Sequence, residues 1–228
     1  SSYDTSKTTS VIRSTDSGLT WSYATLPSSP ASSWRDIDYG NGVFIAVAQS
    51  TSTTAAVARS TDQGVTWTFV TTPTVVSSGW GSIGYGRGNW IATVLTTSGT
   101  AGIAKSVDQG LTWTFLTVSA SAGSGWYNVA YANSVWIAVA LTTSTTAAIL
   151  RAADTFTVAS YTTASTSARP TCNGTVVSTE NILCVQPWLS NSYILICGSG
   201  GKIGYLTNGV WVLYNSGDPI CSNSTALG

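Results

Sequence analysis

Histidine and methionine are absent from this chain of 228 residues, and charged residues make up only 8 % of it. Without histidine there is no imidazole for acid–base catalysis, and the commonest metal ligand of proteins is missing. We therefore predict neither a metal site nor a cofactor. The nine basic and nine acidic residues cancel, which argues against binding to nucleic acid or to anionic membranes. No apolar run reaches the roughly 18 residues of a membrane-spanning helix, so membrane insertion is not expected.

Small hydroxyl side chains are abundant where charge is scarce, because 70 of the 228 residues are Ser or Thr. Glycosylation sequons begin at Asn173 and Asn223, and four cysteines lie in the same last quarter of the chain. An even number of cysteines without C-x-x-C spacing favours two disulfides over a zinc site. This combination predicts an extracellular, secreted or virion-surface glycoprotein. Because the chain begins at Ser1 and holds no methionine, we expect a processed protein or a segment of a longer one.

An internal repeat of 46 residues dominates the sequence. The pattern Ser-x-Asp-x-Gly-x-Thr-Trp occupies residues 14–21, 60–67 and 106–113. A degenerate copy keeps only Asp154, and a shortened copy covers Leu206 to Trp211. A period of this length indicates an architecture built from one supersecondary unit per repeat. The repeated acidic and aromatic positions are Asp16, Asp62 and Asp108, and Trp21, Trp67 and Trp113.

A second pattern recurs with the same spacing. It begins with a tryptophan, continues through a tight-turn signal such as Gly40-Asn41-Gly42, and ends in an apolar run. The two patterns together supply four short β-prone runs per repeat. In the first full repeat these are A near Ile37 to Tyr39, B over Val43 to Ala48, C over Ala55 to Arg59 and D over Val65 to Val70. The Asp and Gly between C and D are typical of a turn.

Four strands per repeat, without any segment of helical period, predict an all-β fold, namely a β-propeller with four to five four-stranded blades. We expect residues 1–228 to form a single β-propeller domain. Its predicted units are a half unit over 1–25, full units over 34–70, 80–116, 126–161 and 180–214, and a tail over 215–228.

The pattern Ser-x-Asp-x-Gly-x-Thr-Trp resembles the Asp-box, also called the bacterial neuraminidase repeat. Proteins that carry this motif include sialidases, sortilin-type receptors, photosystem assembly factors, and many phage and secreted proteins. The resemblance implies a sialidase-like propeller in which the Asp bonds the turn between strands C and D. It also implies that the Trp packs in the outer part of the blade, so the repeated Asp and Trp residues are structural. The second pattern more loosely resembles repeats of phage tail and virion-surface proteins.

The sialidase resemblance raises the question of catalysis, since that family clamps a carboxylate with three arginines. Arg13, Arg59 and Arg151 fall in phase on strand C beside the turn motif, which favours a role in the repeat over a role in a central clamp. Arg35 precedes strand A, where a first clamp arginine would lie, but the Arg-Ile-Pro motif of the family is missing.

Acidic residues for glycosidase chemistry are also few. Glu180 is the sole glutamate, so a Tyr–Glu nucleophile pair has one candidate. Asp36 and Asp38 are candidates for the acid and base of two-carboxylate hydrolysis, although neither recurs in the other units. We therefore predict no catalytic residues and a protein that is not an enzyme.

Ligand binding is the alternative that the repeat offers. Tryptophans at the start of strand A would suit stacking on a sugar if their rings are exposed, and they would fill the core between blades if they are not. The residues in phase at the A–B turn differ chemically, which counts against equal lectin sites. The candidate ligand-binding residues are Trp34, Trp80, Trp126, Asn41, Arg87 and Asn133.

The predicted strands do not pair evenly, because five C–D halves face four A–B halves. The hairpin over Val11 to Ala24 lacks inner partners. Three sources of these inner strands stay open: a longer parent chain, strand addition from a neighbouring subunit, or irregular closure through Thr171 to Thr179 and the tail after Ile220.

Two disulfide pairings stay open at this point. Cys184 and Cys197 face each other across the fourth A–B hairpin in one of them, and Cys172 then joins Cys221 to fasten the tail. The other joins Cys172 to Cys184 and Cys197 to Cys221.

These observations favour a non-catalytic surface protein, extracellular or on a virion or fibre, with a structural or adhesive role. A glycan-binding lectin or adhesin is the alternative, and a sialidase-like hydrolase is less favoured. The expected partners are a glycan or cell-surface ligand, and further copies of the chain or a larger parent chain.

Overall fold

The computed structural model describes sixteen segments of the chain, and it describes side chains only up to Ala153. The segments are residues 11–24, 26, 33–49, 57–72, 79–95, 102–116, 126–132, 134–140, 149–153, 161–163, 171–172, 175–176, 182–188, 193–198, 203–207 and 210–214.

Strands account for every regular element within these segments, and most of them form four-stranded antiparallel sheets. An N-terminal hairpin of two strands comes first. It contains β1 (Val11–Arg13) and β2 (Ser22–Ala24).

Four complete blades follow, each built from consecutive strands. The first contains β3 (Ser33–Gly40), β4 (Val43–Gln49), β5 (Val57–Ser60) and β6 (Thr68–Val70). The second contains β7 (Trp80–Gly86), β8 (Asn89–Val94), β9 (Ile103–Ser106) and β10 (Thr114–Leu116). The third contains β11 (Trp126–Ala132), β12 (Val135–Ala140), β13 (Ile149–Ala153) and β14 (Tyr161–Thr163). After the small hairpin of β15 (Thr171–Cys172) and β16 (Thr175–Val176), the fourth contains β17 (Ile182–Trp188), β18 (Tyr193–Gly198), β19 (Ile203–Thr207) and β20 (Val210–Tyr214).

This arrangement confirms the predicted all-β propeller. The strands named A to D from the sequence are the four strands of each blade, in that order. The innermost strands pack in succession, β3 on β7, β7 on β11 and β11 on β17. The N-terminal hairpin corresponds to the C and D strands of a blade, so the uneven strand count deduced from the sequence is also found among the described strands.

The A–B turns are tight because both central residues adopt the left-handed conformation. Asn41 and Gly42 have φ of 50° and 81°, and Arg87 and Gly88 have φ of 46° and 81°. Positive φ at both central residues defines the type I′ turn, whose twist matches that of paired strands. Asn and Gly tolerate this conformation readily, which is why the Asn-Gly signal located the turn.

The blades are joined by aromatic rings that rest on glycines of the preceding inner strand. A Cβ atom at Gly40 would clash with the ring of Tyr85, and one at Gly86 would clash with the ring of Tyr131. Each glycine is therefore required so that the next blade can approach closely. The register also opposes Tyr85 to Trp90, whose ring centroids are 4.9 Å apart.

The tryptophans at the start of strand A contribute mainly to this packing. Trp80 and Trp126 are buried in the clusters between blades, so their ring faces are not available to a sugar. This burial corrects the expectation of ligand binding at these two residues. Trp34 is only half-buried and stacks on Phe69, with centroids 6.2 Å apart.

The backbone of the fourth blade places Cys184 and Cys197 directly opposite each other in the register of β17 and β18. Facing positions of an antiparallel pair lie within the Cα separation that a disulfide spans. Cys172 lies in β15, whereas Cys221, Asn173, Asn223 and Asn133 lie outside the described residues. Both disulfide pairings stay predictions.

Candidate functional site

The repeated turn motif is held by its aspartate. In the first complete blade, Asp62 accepts hydrogen bonds from the backbone amide of Thr66 at 2.9 Å, from the Thr66 hydroxyl at 2.6 Å and from the Ser60 hydroxyl at 2.8 Å. The Trp67 indole N–H donates to the carbonyl of Gly64 at 3.1 Å. The turns at Asp16 and Asp108 repeat these bonds. The motif thus closes the C–D turn through its own side chains.

These bonds stabilise the ionised carboxylates. Hydrogen bonds from Thr20 and Ser14 lower the pKa of Asp16 to about 2, and bonds from Thr66 and Ser60 lower the pKa of Asp62 to about 2. Partial burial raises the pKa of Asp108, but the bonds from its own Thr and Ser outweigh burial, so its pKa is also lowered. A general acid needs a proton near neutral pH, and these groups do not hold one.

Arginines on strand C fasten each turn to the preceding blade. The Arg13 Nε donates to the carbonyl of Gln63 at 2.8 Å, and the Arg59 Nε donates to the carbonyl of Gln109 at 2.8 Å. Each bond joins residues fifty positions apart, which is one repeat plus the length of the turn. The two arginines therefore connect neighbouring blades, as their equivalent positions in the repeat suggested. Arg151 is exposed on β13.

The two aspartates of β3 connect the inner strands of the first and second blades. Asp36 accepts from the Ser82 hydroxyl at 2.5 Å and from the Ile83 amide at 3.0 Å. Asp38 accepts from the Tyr85 amide at 2.7 Å. Burial raises the pKa of Asp38 against these hydrogen bonds. Both carboxylates thus bond to groups of the neighbouring blade.

Arg35 spans three blades at the start of the inner strands. Its Nε donates to the carbonyl of Gly81 at 2.9 Å, and its guanidinium lies 4.3 Å from the ring centroid of Tyr127. The first contact reaches the second blade and the second contact reaches the third. A guanidinium over an aromatic face is a favourable cation–π arrangement. The residue considered as a first clamp arginine therefore contacts the two blades that follow its own.

The predicted ligand-binding residues do not converge on one site. Trp34 lies at the start of β3, and Asn41 lies in the turn that follows its end. At ~3.3 Å per residue, the strand separates them by about 20 Å. The same holds for Trp80 and Arg87 on the second blade. The tryptophans and the turn residues therefore belong to opposite ends of the blades.

A groove that the sequence did not reveal lies between the N-terminal hairpin and the first complete blade. It is formed by β1 and Trp21 on one side and by Ile37, Tyr39 and Gly64 on the other, and we call it the N-terminal groove. Its volume is about 550 Å³. The lining is mainly apolar, as in the binding sites of many proteins.

The exposed apolar side chains of the groove are buried at the equivalent positions one repeat later. Trp21 is 60 % exposed, whereas Trp67 is 3 % exposed. Ile37 is 47 % exposed, whereas Ile83 is 3 % exposed. The signal in the sequence was the uneven count of five C–D halves against four A–B halves, because an A–B half paired with β1 would lie beside Ile37.

Two further observations concern the described residues only. They contain no helix long and apolar enough to cross a membrane. They also contain no group of three or more Cys, Asp or Glu side chains placed to hold a metal ion.

No protein-family model matches the sequence, and no curated protein is similar to it. Solved structures do share its fold. One is described as YCF48 bound to D1 peptide. The match covers 93 % of this chain and 62 % of that chain, with 13 % identity and a TM-score of 0.60. YCF48 from Cyanidioschyzon merolae is 14 % identical, with 80 % of this chain and 56 % of that chain covered and a TM-score of 0.54. The GH74 enzyme of Niastella koreensis is 17 % identical, with 78 % of this chain and 29 % of that chain covered and a TM-score of 0.56.

The chain spans less than two thirds of the length of each of these proteins. At such low identity the likeness shows the fold alone. The neighbours are β-propellers, and they include both a protein bound to a peptide and a glycoside hydrolase family. The fold of this chain is that of a β-propeller.

Proposed function

We propose that the chain is an Asp-box β-propeller with a structural or adhesive role, non-catalytic, and located outside the cell or on a virion or fibre surface. The observation that carries this proposal is the use of the carboxylates. Each aspartate among the described residues accepts hydrogen bonds that hold a turn or join two blades. The groups are Asp16, Asp36, Asp38, Asp62 and Asp108.

The role of these carboxylates bears directly on catalysis. Two-carboxylate hydrolysis needs an acid and a base that face one cleft and exchange protons with the substrate. Asp36 and Asp38 instead bond to amides of their own strand and of β7. Because these carboxylate oxygens accept hydrogen bonds from the protein backbone, this geometry supports a structural role for them over a catalytic one.

Turnover of a fluorogenic sialoside tests the non-catalytic proposal. We expect no turnover above that of buffer, for the native chain and for Asp36→Asn alike. Turnover by the native chain that is lost in Asp36→Asn, with unchanged circular dichroism, would establish a hydrolase. Asp62→Asn is the matched control, since it removes a carboxylate from a turn and leaves β3 intact.

A protein partner is favoured over a glycan by the apolar groove and by the solved YCF48 structure that contains a D1 peptide. Among the three candidate tryptophans, only Trp34 supports the lectin alternative, because its ring is half-buried at the start of β3. Binding on a glycan array tests this alternative. A signal that disappears in Trp34→Ala and persists in Trp21→Ala would replace the proposed role with glycan recognition.

The structural role and the location are tested on purified native material. Light scattering together with an intact mass spectrum gives the number of copies and the mass of attached sugar. We expect a defined oligomer, a polymer or a larger parent chain, with glycan at Asn173 or Asn223. A lone monomer at its formula mass would contradict self-assembly and the extracellular glycoprotein proposal together.

A further inference from the structure

We propose that Asn41 is a site of covalent modification, at which the folded protein converts asparagine to aspartate and isoaspartate through a succinimide. The reaction needs an asparagine followed by a residue that offers no steric hindrance, and Asn41-Gly42 supplies both. The two residues are exposed at the A–B turn of the first blade, between β3 and β4. The proposal does not depend on the structural or adhesive role of the protein.

The reaction is an intramolecular acyl transfer. The backbone nitrogen of Gly42 loses its proton to a base and forms a bond to the side-chain carbonyl carbon of Asn41. The bond from that carbon to the amide nitrogen breaks, and the nitrogen leaves as ammonia. Water then opens the five-membered succinimide at one of its two carbonyls, which gives aspartate or isoaspartate. The net change is the uptake of water and the release of ammonia, without oxidation or reduction.

The backbone of the turn already meets one of the two requirements for ring closure. Closure eclipses the Gly42 nitrogen with the Asn41 Cβ, and in an L residue this eclipse occurs at ψ of about −120°, which is the ψ of the first central residue of a type II′ turn. The same residue of a type II′ turn has φ of about +60°. Asn41 has φ of 50°. Only its ψ has to change.

This change is a rotation of the peptide between Asn41 and Gly42, which converts the type I′ turn into type II′. Both turn types join paired strands through two residues, so the register that opposes Gly40 to Val43 is kept. Glycine adopts negative φ as readily as positive φ. A Cβ atom at Gly42 would meet no heavy atom of the described residues within 4 Å, apart from its chain neighbours. The turn therefore reaches the reactive conformation while the hairpin stays folded.

The equivalent turns of the next two blades each lack one requirement. Arg87-Gly88 has φ of 46° and 81° and the same open space at its glycine, but it has no side-chain amide. In the third blade Asn133 is followed by Ser134, whose side chain hinders attack by its nitrogen. Among these three A–B turns, only the first combines the amide with the glycine.

The two products have different consequences for the fold. Aspartate leaves the backbone unchanged, and Asp-Gly is itself favoured in type I′ turns. Isoaspartate instead leads the main chain through its Cβ, which adds a carbon atom to a two-residue turn. This turn directly follows Gly40, against which the ring of Tyr85 from the second blade packs. Isoaspartate at position 41 therefore loosens the contact between the first and second blades.

The test follows Asn41 in the full chain during incubation in mildly alkaline buffer. Cleavage by trypsin after Arg35 and Arg59 releases residues 36–59, in which Asn41 is the sole asparagine, and mass spectrometry distinguishes the products. A synthetic peptide of residues 36–59 is the unfolded reference. We expect the native chain to react at a rate comparable to that of the peptide. The rate is expected to rise with pH, because the attacking nitrogen must lose its proton.

A transplanted site tests the role of the turn. Arg87→Asn places an asparagine before Gly88 in the equivalent turn and is expected to create a second reactive position, whereas Asn133 in the same sample is the matched control and is expected to stay intact. The incubated native chain is also expected to melt at a lower temperature than Asn41→Asp, because both carry the added charge and only the incubated chain contains isoaspartate.

Four outcomes would overturn parts of this account. An intact Asn41 in the native chain, under conditions in which the peptide reacts, would show that the folded turn blocks ring closure and would refute the site. A lack of reaction in Arg87→Asn, with unchanged circular dichroism, would refute the role of the turn geometry. Equal reaction at Asn133 would refute the need for glycine. Equal melting temperatures of the incubated chain and Asn41→Asp would refute the loosened contact between blades.

Discussion

The N-terminal hairpin and the complete blade that follows it carry the same turn motif in different surroundings. In both, the Trp indole N–H donates to the turn glycine, at 3.0 Å from Trp21 and at 3.1 Å from Trp67. In both, the Asp binds the same Thr and Ser side chains. Only the burial differs, because a preceding hairpin covers Trp67. The turn geometry is therefore local, whereas the stability gained from its tryptophan depends on the neighbouring blade.

The largest expected effect comes from truncating this tryptophan in the two settings. Trp67→Ala empties a buried site and is expected to cost about 3–5 kcal/mol of the free energy of unfolding. Trp21→Ala removes an exposed ring and is expected to cost less than about 1 kcal/mol. Chemical denaturation curves of the two variants measure the difference. Equal losses would show that the rings are equally buried in solution.

The turn glycines provide a matched pair of smaller effect. Gly64 and Gly110 have φ of +82° and +81°, so alanine pays the same backbone cost of about 1–2 kcal/mol at either site. Gly110→Ala must also displace Ile45, which is expected to add about 1–3 kcal/mol. Thermal unfolding of both variants isolates the contribution of the preceding blade. An equal melting temperature would contradict the ordinary contacts, without a clash, that a Cβ atom at Gly64 makes with Arg13 and Trp67.

Acid unfolding separates the carboxylates by the sign of their pKa shifts. The folded pKa of Asp62 is about 2 and lies below the ordinary value of 3.8, so its contribution to stability is present above pH 3.8 and is lost as the pH falls toward 2. The raised pKa of Asp38 has the opposite sign, and its contribution is lost as the pH rises through the folded value. Asp62→Asn is expected to flatten the acid limb of the stability profile. Asp16→Asn is expected to change it less, because the hairpin is only partly packed, and an equally flattened limb would show that the hairpin unfolds together with the blades.

The interblade arginines are expected to give the smallest effect. Arg13→Gln removes an exposed bond to the Gln63 carbonyl, and Arg59→Gln removes exposed bonds to the carbonyl and the side chain of Gln109; a loss below about 1 kcal/mol is expected for each. The readout that distinguishes them is local, since Arg13→Gln releases the hairpin and Arg59→Gln releases the turn of the second blade. Hydrogen exchange of β2 should accelerate in Arg13→Gln only. Acceleration in both variants would indicate that the two ties act on one cooperative unit.

The fold was predictable because the repeat is strong and its turn signals are local. Asp62 and Gly64 specify a turn through bonds within a few residues, and the Asn41-Gly42 signal located the A–B turn for the same reason. Contacts between repeats left weaker signals. Nothing in the sequence near Asp36 indicates that it bonds Ser82 of the next blade. The 46-residue spacing also does not distinguish a buried Trp80 from one that stacks on a sugar.

The N-terminal groove illustrates the same limit. The sequence showed five C–D halves against four A–B halves, which is a count of strands. It did not show that Ile37 and Tyr39 would be the side chains left exposed, because their exposure depends on which face of β3 meets the preceding blade. Burial in a repeat protein is decided by neighbours one repeat away, and a single repeat does not reveal it.

Amide hydrogen exchange along β1 and β5, read residue by residue by NMR, tests most directly whether β1 is an edge strand, as it is among the described strands. In β5, residues 57–59 are paired on both sides. In β1, residues 11–13 are paired with β2 alone among the described strands. We predict that the amides of β1 facing away from β2 exchange at nearly the rate of an unstructured chain, while all three amides of β5 are protected. Equal protection of the two strands would contradict the position of β1 at the edge of its sheet.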